Sequence, residues 1–166
     1  MNRRGFTLIE LAVVLAIIGM VMMLVIPRFP STEHEDLKSS ARTLAATLRY
    51  MQDRASTGRT TYYLHIELGT DTVKVMEAAP DGGEKEPGDP LLQQRPVKEG
   101  IVVTDVIIPR LGKVNEGEVR LEAGMGGLRD FAAIHLRSPD GKFWTVMTFP
   151  SGGKVKVYEG YREEAL

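Results

Sequence analysis

The chain has 166 residues, of which 43% are hydrophobic and 26% are charged, and its formal net charge is −1. This composition is that of an ordinary globular protein, which excludes wholesale disorder, and the charge gives no general attraction to nucleic acid or to an anionic membrane. The absence of cysteine excludes disulfides, thiol catalysis and zinc sites built on thiolates. The length allows one ordinary domain and an N-terminal appendage.

The first element is the apolar segment RGFTLIELAVVLAIIGMVMMLVIP. Glu10 is the only charged residue from Phe6 to Ile26, and about 20 apolar residues are enough for a helix to cross a bilayer. Arg3 and Arg4 precede the apolar run, and no small-residue cleavage site follows it. The segment is therefore predicted to be a membrane-inserted helix, with the remainder of the chain exported.

Glu10 requires a physical explanation, because an ionised carboxylate at mid-bilayer costs about 2.5–3.5 kcal/mol. One explanation is that the side chain reaches back to the cytoplasmic interface, since it lies four residues after Phe6. The other is a cation at the same depth, and a cut between Gly5 and Phe6 would create one as a new α-amino group. At about 4 Å such a pair gains roughly 4 kcal/mol before desolvation is subtracted.

The stretch RRGFTLIEL resembles the processing and assembly motif of the type IV pilin and pseudopilin superfamily. The resemblance implies that a prepilin peptidase cuts after Gly5 and methylates the amine of Phe6, and that Glu10 engages the amine of a neighbouring subunit. It also implies a single-pass protein of the bacterial inner membrane with its C-terminal domain in the periplasm. The expected segments are a cytoplasmic leader over residues 1–5 and a transmembrane and assembly helix over residues 6–27.

A second helix is predicted over residues 28–58. Pro27 and Pro30 precede it, and a helix kink or break is expected there because proline removes a backbone hydrogen bond and clashes with the preceding turn. Beyond them the apolar residues recur at helical spacing and form one stripe, which is predicted to pack on a sheet. Gly58 is predicted to end this helix. The stripe consists of Leu37, Ala41, Leu44, Leu48, Met51 and Ala55.

Residues 59–166 are predicted to form a β-rich globular domain, because the apolar period changes to two from Thr61 onward. TYYLHIEL and TVKVMEA predict a hairpin, and the turns SPDGK and PSGGK predict an antiparallel meander of three strands. GIVVTDVII and EVRLEA are further strand candidates. The predicted fold class is α+β, with a long pilin-like N-terminal helix packed on an antiparallel sheet.

Two longer stretches, ARTLAATLRYMQDRASTGRTTYYLHIE and FPSGGKVKV, resemble the GspH-like minor pseudopilins of type II secretion and their FimT-like relatives. This resemblance implies a structural subunit that is assembled through its N-terminal helix into a periplasmic pseudopilus. The implied partners are other pilin or pseudopilin subunits, the prepilin peptidase and the inner membrane, with secreted cargo as a further candidate.

No residue pattern predicts catalysis, a cofactor or a metal site. His34, His65 and His135 are isolated from one another and form no metal-binding or catalytic motif. The stretch PDGGEKEPGDP is predicted to be a solvated loop, because its acidic residues do not have the spacing of a calcium loop. Trp144 and Phe149 are expected on opposite faces of one strand, with Trp144 in the core.

Two alternatives remain at this stage. The first is a FimT-like minor type IV pilin that primes pilus assembly or takes up DNA, for which Lys142, Lys154 and Lys156 are the candidate cations. The absence of the cysteine pair that is common in such pilins and the acidic residues Glu163 and Glu164 argue against it, so nucleic acid is not an expected partner. The second is a membrane-anchored periplasmic enzyme or binding domain.

Overall fold

The computed structural model describes residues 8–25, 32–150 and 152–163. The chain divides into two units, Met1–Ser31 and Thr32–Leu166. The described part of the first unit is helix α1, Leu8–Val25. Within the described residues no helix combines the length and apolarity needed to span a membrane. Gly5, Phe6, Pro27 and Pro30 lie outside the described residues, so the cleavage site and the helix break stay predictions.

Helix α1 is apolar on every side. Its side chains are exposed from Leu8 to Met22, and Leu8 and Ile9 have exposed fractions of 89% and 74%. A helix that is hydrophobic all round is suited to burial in lipid or among other helices rather than to contact with water. The surface of α1 therefore requires an apolar environment.

The second unit contains helix α2, Thr32–Gly58, and ten strands. The strands form two five-stranded sheets in which every pairing is antiparallel. The first sheet has the order β3-β2-β1-β6-β7 and the second the order β10-β9-β8-β4-β5. The strands are β1 Tyr62–Glu67, β2 Val73–Ala78, β3 Glu84–Lys85, β4 Val102–Ile108, β5 Gly112–Val114, β6 Glu118–Gly124, β7 Gly127–Leu128, β8 Ala132–Arg137, β9 Phe143–Phe149 and β10 Lys154–Glu159.

The α+β fold class is confirmed, and so are the β1–β2 hairpin and the β8–β9–β10 meander. The strands are divided between two sheets instead of forming one. In the first sheet the β1–β2 hairpin pairs with the distant strand β6, and in the second sheet the meander pairs with β4 through β8. These long-range pairings are not encoded by the local sequence.

Helix α2 packs against both sheets and provides the centre of the core. It contacts β1, β6 and β7 of the first sheet and β8, β9 and β10 of the second. All six residues of the predicted apolar stripe are completely buried. The predicted alternation in β1 is also observed, because Tyr62, Leu64 and Ile66 are buried while the residues between them face outward. Trp144 lies in the core as expected.

Helix α2 ends at the residue that the sequence predicts. The helix ends at Gly58, but the left-handed residue that follows is Arg59, with φ at 51°. It is the one non-glycine residue with a positive φ in the described part of the chain. The hydroxyl of Thr60 donates to the Gly58 carbonyl at 3.2 Å and so satisfies one of the unpaired groups at the helix terminus.

The stretch from Pro80 to Pro90 is mostly exposed, as its composition predicts, but it is not entirely irregular. Strand β3 lies inside it and pairs with β2. The chain that follows runs along α2, where the Lys98 amide donates to the Ser40 hydroxyl at 3.1 Å. Leu92 and Val97 are both 1% exposed. These two apolar side chains anchor the segment that follows the loop.

Candidate functional site

Glu10 lies in the first turn of α1, and its side chain is exposed. The N-terminal end of a helix carries a partial positive charge, which favours an anion in this turn. Gly5 and Phe6, the predicted processing residues, lie outside the described residues. The structure therefore gives the position of the Glu10 carboxylate but not that of the Phe6 amine with which it is predicted to pair.

A buried polar cluster that the sequence did not predict lies on the outer face of the second sheet. His135 in β8 and Asp105 in β4 have side-chain exposures of 0% and 7%. The Nδ1 atom of His135 lies 2.7 Å from Oδ1 of Asp105, and its Nε2 atom lies 2.8 Å from the Arg162 carbonyl oxygen. Tyr161 stacks on the imidazole with a centroid distance of 3.8 Å. We call Asp105, His135, Tyr161 and Arg162 the C-terminal clasp.

The clasp continues to Lys113 in β5. The Tyr161 hydroxyl donates to Oδ1 of Asp105 at 2.9 Å and accepts from Nζ of Lys113 at 2.7 Å. Burial raises the pKa of Tyr161, and the hydrogen bond to Tyr161 raises the pKa of Lys113. At neutral pH the pair is therefore a neutral phenol and an ammonium, and both side chains hold residues 160–163 against the sheet.

The clasp is not arranged for catalysis. Both ring nitrogens of His135 face acceptors within the chain, so neither is available to take a proton from a substrate. Thr145, the nearest hydroxyl on β9, donates to the Gly160 carbonyl at 2.7 Å and accepts from the Arg162 amide at 3.1 Å. The polar groups of the cluster therefore bind the chain itself, and their role is to fix the segment after β10.

A second cluster surrounds His65 on the outer face of the first sheet. Nε2 of His65 lies 2.6 Å from Glu84, and Nδ1 contacts Glu118. Arg120 also binds Glu84, at 2.8 Å. A shallow depression of about 290 Å³ lies beside the imidazole. The two carboxylates bind opposite sides of the ring and do not converge on one point, and the described residues contain no group of three or more acidic, histidine or cysteine side chains suited to a metal ion.

The acidic residues after β2 are likewise bound separately. Oδ2 of Asp89 accepts from the Tyr50 hydroxyl at 2.6 Å and lies 3.3 Å from Arg54, so it ties the loop to α2. The hydrogen bond between Tyr50 and Asp89 lowers the pKa of the Asp89 carboxyl and raises the pKa of the Tyr50 phenol. Asp81 instead accepts from the nearby Gly83 amide. The calcium interpretation gains no support from this geometry.

The lowered pKa of Asp89 predicts an acid-sensitive contact. Its contribution to folding is present at pH values above the unfolded pKa, about 3.9, and is lost as the pH falls through the lower folded pKa. Asp89→Asn should therefore reduce the free energy of unfolding at neutral pH, and the difference from the wild type should shrink as the pH falls. Urea unfolding over a pH series would measure this, and a difference that stays constant with pH would contradict it.

The three lysines considered for DNA binding do not form one patch. Lys142 lies in the turn between β8 and β9 and binds Asp140 at 3.0 Å. Hydrogen bonds from Ser138 and then from Lys142 lower the pKa of Asp140. Lys154 and Lys156 lie on β10. This arrangement does not favour the DNA-uptake alternative.

Parts of the chain are similar to known proteins. Residues 1–26 match the family model of the prokaryotic N-terminal methylation motif. Over 99 residues the chain is 27% identical to the type II secretion system protein H of Vibrio cholerae serotype O1. The aligned residues make up 59% of this chain and 51% of that relative. The chain thus aligns with about half the length of its curated relative.

Two solved structures of the minor pseudopilin EpsH from the Vibrio cholerae type 2 secretion system have similar folds. One has a TM-score of 0.62 at 17% identity and covers 81% of this chain and 100% of the solved chain. The other has a TM-score of 0.56 at 18% identity, and it covers 75% of this chain and 97% of the solved chain. The fold is that of a minor pseudopilin. The predicted resemblance to GspH-like pseudopilins is confirmed, and the two alternatives are not favoured.

Sequence reasoning missed both polar clusters of this pseudopilin fold. His135 and Asp105 are 30 positions apart, and His65 and Glu118 are 53 apart. The only signal is the strand register, which pairs Asp105 with His135 and His65 with Arg120. That register is known only once the long-range pairings are known.

Proposed function

We propose that this chain is a minor pseudopilin that is processed by a prepilin peptidase and assembled into the periplasmic pseudopilus of a type II secretion system. The observation that carries the proposal is the match of residues 1–26 to the N-terminal methylation motif in a chain whose globular unit has the EpsH fold. The subunit is anchored in the bacterial inner membrane before assembly, and its globular unit lies in the periplasm.

The proposed processing removes residues 1–5 and leaves Phe6 as a methylated N-terminus. Phe6 precedes Glu10 by four residues, which corresponds to about one turn of a regular helix. Between staggered subunits, pairing of the Phe6 amine with the Glu10 carboxylate offsets the cost of placing either charge in lipid and sets the register of the neighbouring helices. The all-round apolar surface of α1 supplies the remaining contact with other subunits.

The assembly contribution of the chain is structural and does not require a catalytic centre. Neither His65 nor His135 has a ring nitrogen available for a substrate. The proposed partners are other pseudopilins through α1, the prepilin peptidase and secreted cargo.

Mass spectrometry of the chain recovered from native membranes tests the processing step. The expected product begins with N-methylphenylalanine at Phe6, because cleavage after Gly5 is what creates the amine. A chain that retains its first five residues in cells with an active secretion apparatus would contradict the proposal.

The pairing step is tested with Glu10→Gln, which removes the charge and keeps the shape. We expect normal membrane insertion and a loss of at least about tenfold in recovery within sheared pseudopili, because the amine of the neighbour is left without its counter-charge. Glu35→Gln, at an exposed position of α2, is the matched control and should assemble normally. Equal recovery of both variants would remove the pairing role while leaving the processing result to stand.

A further inference from the structure

The two sheets end in four edge strands of unequal length. Strands β3, β5 and β7 have two or three residues each, whereas β10 has six. Short edges offer few unpaired backbone groups, which is one way in which proteins prevent unwanted strand pairing. Strand β10 is the exception among the described edges.

The direction of the β10 backbone groups follows from its register with β9. The Gly160 amide donates to the Phe143 carbonyl at 2.9 Å. In an antiparallel pair the hydrogen-bonded positions alternate, so the backbone groups of Tyr158, Lys156 and Lys154 also point toward β9. The backbone groups of Val155, Val157 and Glu159 therefore point to the outer edge. Arg49 of α2 binds the Val155 carbonyl, and within the described residues no hydrogen bond covers this edge at Val157 or Glu159.

The same strand carries a row of cations, which we call the cation row. Lys154 and Lys156 point to the same face of the sheet, because alternate residues of a strand do so. They lie about 7 Å apart along the strand, which is the rise of two residues. The Arg162 guanidinium continues the row, since it lies 4.9 Å from the Tyr158 ring centroid. In the described part of the chain none of the three forms an ion pair with a carboxylate, whereas Arg120 and Arg129 of the first sheet are both paired.

We propose that the edge of β10 and the cation row form a docking site for an extended acidic segment of a partner protein. The segment adds to the sheet as a further strand beyond β10 and bonds to the backbone groups of Val157 and Glu159. Acidic residues at every second position of the segment then face the cation row, because alternate side chains of paired strands lie on one face. The site recognises a charge pattern and an extended backbone, and it does not depend on α1.

The geometry favours an acidic peptide over single-stranded nucleic acid. Nucleic acid would need aromatic faces that are free to stack on bases. The Lys156 ammonium lies 5.6 Å from the Phe149 centroid, and the Arg162 guanidinium covers Tyr158 in the same way. These cations thus occupy ring faces that bases would need.

The test uses the full chain in detergent micelles and a short fluorescent peptide with glutamate at every second position. Fluorescence anisotropy should show binding that weakens with salt, and the double variant Lys154→Glu, Lys156→Glu should bind roughly tenfold more weakly. Lys74→Glu, which makes the same type of change at an exposed position of the first sheet, is the control and should bind normally. Equal weakening by Lys74→Glu would overturn the proposal.

A second comparison tests the strand pairing. Glu159→Pro removes an edge amide and should abolish peptide binding, while Glu159→Ala keeps the amide and should retain it. Equal melting temperatures of the two variants show that Glu159→Pro is folded. A peptide of the same composition with its glutamates consecutive should bind more weakly than the alternating one. Equal affinity of the two peptides, retained binding by folded Glu159→Pro, or preference for an oligothymidylate over the peptide would each contradict the proposal.

Discussion

Asp105→Ala is expected to lower the free energy of unfolding by about 1–3 kcal/mol for each buried hydrogen-bonding group that loses its partner. The replacement leaves His135, which is fully buried, without the acceptor for Nδ1. It also removes the acceptor of the Tyr161 hydroxyl. The loss therefore extends to the segment after β10, and urea unfolding of the full chain in detergent would measure it.

Asp71→Ala is the matched control for this prediction. Asp71 pairs with Arg95 at 2.9 Å, but the side chains of the pair are 26% and 60% exposed. A pair of this kind contributes about 0–1 kcal/mol because solvent screens it. Similar losses in the two variants would show that the clasp is no stronger than a surface contact.

Leu48→Ala is expected to lower the free energy of unfolding by about 2–5 kcal/mol. Leu48 is completely buried in α2, the helix that packs against both sheets, and the truncation leaves a cavity in the core. Thermal or urea unfolding would detect this as a lower midpoint with retained helical circular dichroism.

Leu111→Ala makes the same chemical change at a side chain that is 54% exposed. Its effect should stay within about 0.5 kcal/mol, as is usual for surface substitutions. If both leucine variants lost the same amount, the assignment of α2 to the centre of the core would be wrong.

The parts of the fold that could be predicted are those that local patterns encode. The apolar stripe of α2 and the alternation of β1 each follow from one periodicity, and the hairpin turns follow from glycine-rich sequences. The left-handed residue Arg59 could not be predicted, because an arginine there contradicts the usual preference for glycine.

Other parts depend on contacts between distant segments. The five consecutive residues Ala132–Leu136 are all buried, so β8 shows no alternation. The reason is that α2 lies on the inner side of the sheet while the segment carrying Tyr161 and Arg162 covers His135 on the outer side. Sequence reasoning sees an apolar run there and cannot assign His135 a partner that lies in another strand.

Within the candidate site, Glu10 could be identified from the sequence as a lone carboxylate in an apolar segment, and its role came from the family resemblance. From the sequence, Lys154 and Lys156 of the cation row are, together with Lys142, only candidate cations for nucleic acid. Arg162 could not be added to it from the sequence, because its place over Tyr158 depends on the turn after β10.

The bond between Arg49 and the Val155 carbonyl joins residues 106 positions apart. Because α2 is synthesised before every strand, whereas β10 is the last strand of the described chain to be made, the helix has no complete packing partner during most of translation. Closing so long a loop is slow. The apolar stripe of α2 therefore stays without its full packing partner until β10 has emerged, and during this interval the nascent chain is most exposed to aggregation.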